Sequence, residues 1–416
     1  MTFCSFSRLL LVSLLITYSS ALYSLTEDYT GAAFFEGFDW FTEADPTRGH
    51  VRFVNKQEAN QTSMAGLVSG GLANSAVYMG LDTINQAPEG RPSVRVSSSK
   101  SFDHGLFIAD IVHMPGGICG TWPAYWLLGP DWPRGGEIDI FEGVNDQKSN
   151  KMVLHTGPGV SIEDIDNSTF TGQVLTSDCD VDAPNQDKNA GCGITDGEDD
   201  ETSYGTGFNT NGGGIFATEV SCDHIKIWFF PRHTPVPIDI TTGRNPLPNE
   251  KTWGLPRATF RGNFSVAENF RQMKIIFDTT FCGDWAGAVW ADNPTCSALA
   301  PTCEQYVSEN PEAFAEAYWA VNSLRVYESD GRSAVEGGKI SGDQINDEPV
   351  SSQKVSPPPQ AKGEAETATQ VTTDSSSSSS SSPPQPASRF RRSSSSSSLF
   401  FRNGGGAVVL PPIPRI

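Results

Sequence analysis

In His224–Phe230 (HIKIWFF), Ile225, Ile227 and Phe229 share one face of an extended chain, while Lys226, Trp228 and Phe230 share the other. Leu106–Val112, Met273–Phe277 and Leu324–Tyr327 are further short runs of this kind, separated by Gly and Pro clusters. Many short strands and few helices predict an all-β chain, either a sandwich or a barrel. No series of strands alternates with long helices, which argues against a doubly wound α/β fold. One short helix is expected near the end of this region. Asn310 would cap it, Pro311 fits its first turn, and Glu312–Tyr318 would continue it.

The apolar content of 37% is low, and the shortfall lies toward the C-terminus. From about residue 331 the chain is mostly Ser, Pro, Gln and Gly, and all nine Trp precede that point. Segments such as Ser375–Ser382 and Ser393–Ser398 offer little apolar surface to offset the entropy of ordering. Residues 331–416 are therefore expected to be a disordered low-complexity tail. At the other end, Arg8 is followed by an apolar run, Leu9–Ile16, and by the small residues Ser19-Ser20-Ala21. This pattern predicts a signal peptide over residues 1–21 and a secreted mature chain. The apolar run is too short to cross a bilayer, and no later segment is long enough, so no membrane span is expected. The broken apolar stretch Leu399–Ile416 does not fit a lipid-anchor signal.

The formal net charge is −20. The tail holds nine basic and seven acidic residues, which leaves 20 basic and 42 acidic before it, a balance of −22. Such a domain repels phosphate backbones and anionic membranes, so no nucleic-acid partner is expected. It suits a soluble monomer meeting a neutral ligand. Seven cysteines follow the signal region, an odd number, so disulfides are expected with at least one thiol left over. Their spacing fits no zinc site. Sequons stand at Asn60, Asn167 and Asn263. Residues 160–215 read as a long polar insertion, and its acidic run Asp196–Glu201 reads as a solvated face.

Chemistry concentrates in Gly120–Asn145 (GTWPAYWLLGPDWPRGGEIDIFEGVN). On a regular strand Glu137 and Asp139 point the same way. Glu142, five residues from Glu137, joins them only if one β-bulge intervenes. Three carboxylates on one face repel and raise each other's pKa. An exposed acidic strand would carry the same residues. The flanking Trp122, Tyr125, Trp126 and Trp132 favour instead a carbohydrate groove, with sugar rings stacked on indoles. Cleavage of a glycosidic bond needs a nucleophilic carboxylate and a carboxylic acid, about 5–5.5 Å apart in the retaining mechanism. Glu137 is assigned as nucleophile, Glu142 as acid then base, and Asp139 as the group that positions Glu137.

The GEIDIFEGVN segment, preceded by TWPAYW and GPDWP, resembles glycoside hydrolase family 16. More narrowly it resembles the fungal secreted laminarinase-type endo-1,3(4)-β-glucanases, with their E-x-D-x-x-E signature met by Glu137, Asp139 and Glu142. The likeness runs from about Phe34 to Tyr327. It includes Leu154–Gly159, Asp182–Gly193, Ile225–Arg232, Phe277–Gly287 and Leu299–Val307. It implies a catalytic domain over residues 22–330. The implied fold is a jelly-roll β-sandwich of two antiparallel sheets with a concave groove, and the implied substrate is a β-glucan. By the same likeness, Trp126 and Trp132 line the groove, His155 bonds sugar or a catalytic carboxylate, and Trp285 stacks across the groove. Trp126 equally fits the core, His155 a turn, and Trp253 either place. The resemblance implies no organic cofactor. Some members hold a structural Ca²⁺, whose site is not visible in this sequence.

Three rivals remain at this level, one of them an acidic cell-wall structural protein, which the serine tail alone favours and which leaves the catalytic stretch unexplained. A wall-glucan transglycosylase shares the covalent intermediate, but typically carries the unbulged E-x-D-x-E. A non-catalytic β-glucan-binding protein would have lost one or both Glu, and both stand here.

Overall fold

The computed structural model describes residues 20–68, 75–162, 165–197, 200–334, 400–403 and 406–409. The expected signal peptide lies outside them up to residue 19, as does nearly all of the expected disordered tail.

Two antiparallel sheets dominate. The first runs, edge to edge, through Gln173–Thr176, Cys192–Thr195, Lys151–His155, Glu137–Glu142, Thr121–Leu128, Lys274–Phe281, Arg95–Ser98 and Phe38–Trp40. The second runs through Ala258–Phe260, Ile225–Pro231, Gly214–Val220, Gly105–His113, Trp319–Ala334, Ala76–Met79 and Ala65–Val68. Ser20–Asp28 also pairs with Trp319–Ala334, and the short hairpin Phe400–Asn403/Gly406–Val409 continues the Ala65–Val68 edge. The sheets pack face to face as a jelly-roll sandwich.

Alternation decides which residues fill the space between the sheets. Ile225, Ile227 and Phe229 join Val96, Tyr125, Leu127, Ile138, Phe141, Leu154, Ile275 and Phe277 in the main core. Trp228 and Phe230, on the opposite face, are also buried, because Ile240 and Trp253 cover them. Trp253 is thus a core residue, its indole nitrogen bonded to the Asp239 carboxyl at 3.0 Å.

Three sequence expectations need correction. The α-helix near the end is Cys303–Glu309, capped by Thr302, whose hydroxyl accepts the Gln305 amide at 3.2 Å. Pro311–Phe314 forms only a 3₁₀ turn, and Asn310 bonds back to the Tyr306 carbonyl at 3.0 Å. The Asn-Pro pair therefore closes one helix rather than opening a longer one. Residues 160–215 are not simply an insertion. They supply the strands Gln173–Thr176 and Cys192–Thr195, which extend the first sheet. The acidic run is a solvated face only in part: Glu201 is exposed, residues 198 and 199 lie outside the described residues, and Asp196 and Asp200 turn inward. The Asp196 side chain is fully buried, and Arg257 reaches both Asp200, at 2.8 Å, and Asp196, at 3.7 Å. An arginine about sixty positions away neutralises what local spacing read as solvent-facing charge.

The disulfides are Cys119–Cys296, Cys179–Cys192 and Cys282–Cys303, leaving Cys222 as an exposed thiol. The three sequon asparagines are exposed. Among the described residues, no helix is long and apolar enough to cross a membrane.

Candidate active site

The acidic strand Glu137–Glu142 lies between Thr121–Leu128 and Lys151–His155. Asp139 stands opposite Trp126 on one neighbour and Val153 on the other, while Glu142 stands opposite Ala124 and Lys151. Between these two points the acidic strand carries one residue more than either partner. This is the bulge that the spacing required, and it returns Glu142 to the face of Glu137 and Asp139. Ile138, Ile140 and Phe141 are fully buried behind.

A bulge leaves backbone groups without ladder partners. Asn150 supplies them: its Nδ2 donates to the Ile140 carbonyl and its Oδ1 accepts the Glu142 amide, each at 2.9 Å. The Asn150 amide in turn donates to Ser203 Oγ at 3.1 Å. The strand is entered through Gly136, at φ +80°, where a Cβ would sit 2.4 Å from the Asn269 carbonyl. Only glycine meets both conditions without strain.

Around the carboxyls, the indole nitrogen of Trp122 donates to Glu142 Oε1 at 2.7 Å. His155 Nε2 lies 3.3 Å from Asp139 Oδ2 and 4.0 Å from Glu137 Oε1. Cross-strand register sets Lys151, Glu142, Ala124, Asp278 and Arg95 in one row across the sheet. Trp126 donates to Asp278 Oδ1 at 2.8 Å, and the Arg95 guanidinium lies 5.1 Å from its ring centre. Trp126 therefore stands half-buried on the same face as the carboxyls. Trp285 comes from a π-type turn, Gly283–Gly287, flanked by Cys282, which is bonded to Cys303; the chain beyond the turn is tied to Cys119 through Cys296. Its ring meets Trp122 edge-on at 5.6 Å, and Lys151 Nζ lies 5.0 Å from its centre. Trp132 is 45% exposed, near the turn before the acidic strand, and makes no ring contact with these residues.

The structure thus brings Glu137, Asp139, Glu142, Trp126, His155 and Trp285 together, and leaves Trp132 apart. Sequence reading did not single out Lys151, Asn150, Asp278 or Arg95, and counted Trp122 only as a flanking aromatic. Strand register would have found Lys151 and Asp278. Asn150 lies in a polar loop with no local signal.

Glu137, Asp139 and Glu142 are all pushed up to about 8, first by loss of water around them. Asp139 raises both Glu further, while His155 and Lys151 oppose the rise at Glu142, as does the Trp122 hydrogen bond. Burial likewise pushes Asp278 up to about 6. Near neutral pH the three carboxyls therefore share protons rather than all ionising. Such a set can offer one carboxylate and one carboxylic acid together.

Among the described residues, Glu137, Asp139 and His155 form one group with ligand atoms within 4.8 Å of each other. Ca²⁺ prefers six to eight oxygen ligands, so a buried set with an imidazole and two pKa-raised carboxyls does not fit it.

Comparison with known proteins agrees with this geometry. Residues 38–327 match the family described as XgeA-like, catalytic GH16 domain. An endo-1,3(4)-β-glucanase of Arthroderma benhamiae is 44% identical over 322 residues, which cover 77% of this chain and 68% of the relative. The structure of GH16 laminarinase 16A from Phanerochaete chrysosporium, with β-glucans in both donor and acceptor sites, is 39% identical. It covers 74% of this chain and 100% of its own, with a TM-score of 0.65. A structure described as an elongating GH family 16 β-1,3-glucosyltransferase is 38% identical with the same coverage and TM-score. The fold, the bulged acidic strand and the matched span together place this chain in the GH16 family, as a glycoside hydrolase.

Proposed function

We propose that this chain is a secreted, monomeric endo-β-glucanase that hydrolyses internal β-1,3 and/or β-1,4 linkages of laminarin- and lichenan-type glucans with retention. The observation that carries the reading is the bulge, which turns Glu142 to the face of Glu137 beside a row of indoles. Residues 22–330 form the catalytic domain in this reading. The three disulfides fit an oxidising compartment.

Glu137 attacks the anomeric carbon as a carboxylate. Glu142, as the neutral acid, protonates the departing glycosidic oxygen. Asp139, 3.3 Å from the His155 ring, keeps Glu137 oriented and helps set the two Glu apart in charge. Once Glu137 is esterified its charge is gone. Glu142 then ionises more readily and takes a proton from the incoming water. Trp126 and Trp285 offer faces for sugar C–H groups, while Trp132, exposed and apart from them, is left outside this surface. Both roles are filled by side chains, so the reaction needs no cofactor.

The test is product analysis on laminarin and on mixed-linkage β-glucan, for wild type and Glu137→Ser. Wild type is expected to release short oligosaccharides, first as the β-anomer, and the variant to lose several orders of magnitude of rate. Binding without shortening would leave a glucan-binding protein. Chains that lengthen as well as shorten would make it a transglycosylase, the activity ascribed to the glucosyltransferase of similar fold.

A further inference from the structure

We propose that Trp122 is a positioning residue that fixes the proton of Glu142 on Oε2, the oxygen then able to protonate the leaving group. The proposal rests on the reading of Glu142 as the general acid.

An indole N–H donates and never accepts. In a neutral carboxylic acid the carbonyl oxygen accepts well, whereas the hydroxyl oxygen is a much poorer acceptor. With Trp122 Nε1 at 2.7 Å from Oε1, that oxygen is the carbonyl one. The proton is thereby confined to Oε2. Without the indole, the two oxygens would exchange roles, and part of the population would hold the proton facing away from the glycosidic oxygen.

The donor is itself held. Trp285 meets the Trp122 ring edge-on at an interplanar angle of 90°. Lys151 lies over the Trp285 ring, and the Cys282–Cys303 disulfide anchors the start of the Trp285 turn. The other end of Glu142 is fixed through its backbone amide by Asn150. Glu142 is therefore tied at its main chain and at one carboxyl oxygen, which leaves the second oxygen for the reaction.

The step balances without a further reactant. As the Glu137 carboxylate forms its bond to the anomeric carbon, the glycosidic C–O bond breaks. Its electron pair stays on the leaving oxygen, which receives the Oε2 proton. The Trp122 hydrogen bond remains on Oε1 and stabilises the carboxylate that results. The charged and titratable groups around Glu142 are Glu137 and Asp139 on its own strand, Lys151 and His155 beside it, and Tyr204 behind. None of these is an obligate donor bonded to Oε1, as Trp122 is.

The experiment uses the full chain with aryl β-laminaribiosides whose phenols span pKa values of about 4 to about 10. Trp122→Phe keeps an aromatic ring and removes the donor. A second variant carries benzothienylalanine at position 122, which replaces the N–H by sulfur at nearly constant shape and guards against a folding defect. Both are expected to lose on the order of 10–100-fold in kcat/KM with the poorest leaving group, and less than about 3-fold with the best. The alkaline limb of kcat/KM should move upward, because a bond favouring the carboxylate is gone. Equal losses across all phenols, or no loss, would overturn the proposal and leave Trp122 a packing residue. Glu142→Ala is run alongside. If it shows no leaving-group dependence, the acid assignment itself fails. If it does and the position-122 variants do not, only the role of Trp122 falls.

Discussion

The side-chain amide of Asn150 bonds to both sides of the bulge, to the Ile140 carbonyl and the Glu142 amide, at 2.9 Å each. Asn150 is completely buried, so its removal leaves both backbone groups unsatisfied. Asn150→Ala is expected to cost about 2–4 kcal/mol in urea unfolding. It should also lower kcat by more than it raises KM, since Glu142 is displaced while the indole row stays. A variant with unchanged kcat would show that the bulge holds its shape without Asn150.

The raised carboxyls give stability a definite pH slope. Unfolded Glu titrates near about 4.3, whereas Glu142 in the fold is pushed up to about 8. Between these values the native state binds more protons than the unfolded chain, so stability falls as pH rises. The contribution is full at or below about pH 4.5 and lost by about pH 8. Glu142→Gln removes this titration. Its stability relative to wild type should grow from pH 5 to pH 8.5, by on the order of 1 kcal/mol or more. Parallel curves for the two proteins would contradict the burial of this charge.

Disulfides anchor the chain on both sides of Trp285, at Cys282 just before its turn and at Cys296 beyond it. The double variant Cys119→Ala/Cys296→Ala opens a link between residues 177 apart in sequence. It is expected to lose about 2–4 kcal/mol of stability. KM for long glucans should rise more than kcat falls, because the braced segment carries a groove wall rather than the reacting carboxyls. Calorimetry and steady-state kinetics on laminarin check the two parts.

Arg257 is the cation beside the buried Asp196. Arg257→Met strands that carboxyl and should cost about 3–5 kcal/mol at pH 8. Burial already pushes Asp196 up to about 6. The variant should therefore recover part of its stability at pH 5, where Asp196 can take up a proton. A pH-independent loss would mean that the methylene packing of Arg257, not its charge, is what matters.

The strands were legible because period-two alternation is a local signal. His224–Phe230 and Leu106–Val112 became strands within a residue of their expected bounds. The bulge was legible too, since three carboxylates at this spacing share a face only with one extra residue between them. The late helix was misplaced because Asn310 and Pro311 end one element as readily as they begin another. Within the acidic run, Asp196 and Asp200 escape a local reading because their counter-charge, Arg257, comes from a distant segment.

What the sequence determined by itself was chemistry along one strand: which residues are acids, which faces they take, and which aromatics stand near them. Those properties follow from spacing along a chain with fixed pleat geometry. What only the tertiary structure decided was the company each acid keeps. Trp122 reaches Glu142 across a strand pair, Lys151 enters by register, and Trp285 arrives from a turn more than 140 residues later. Hydrogen bonds and shifted pKa values depend on distances in space and on the exclusion of water, and neither is written in local spacing.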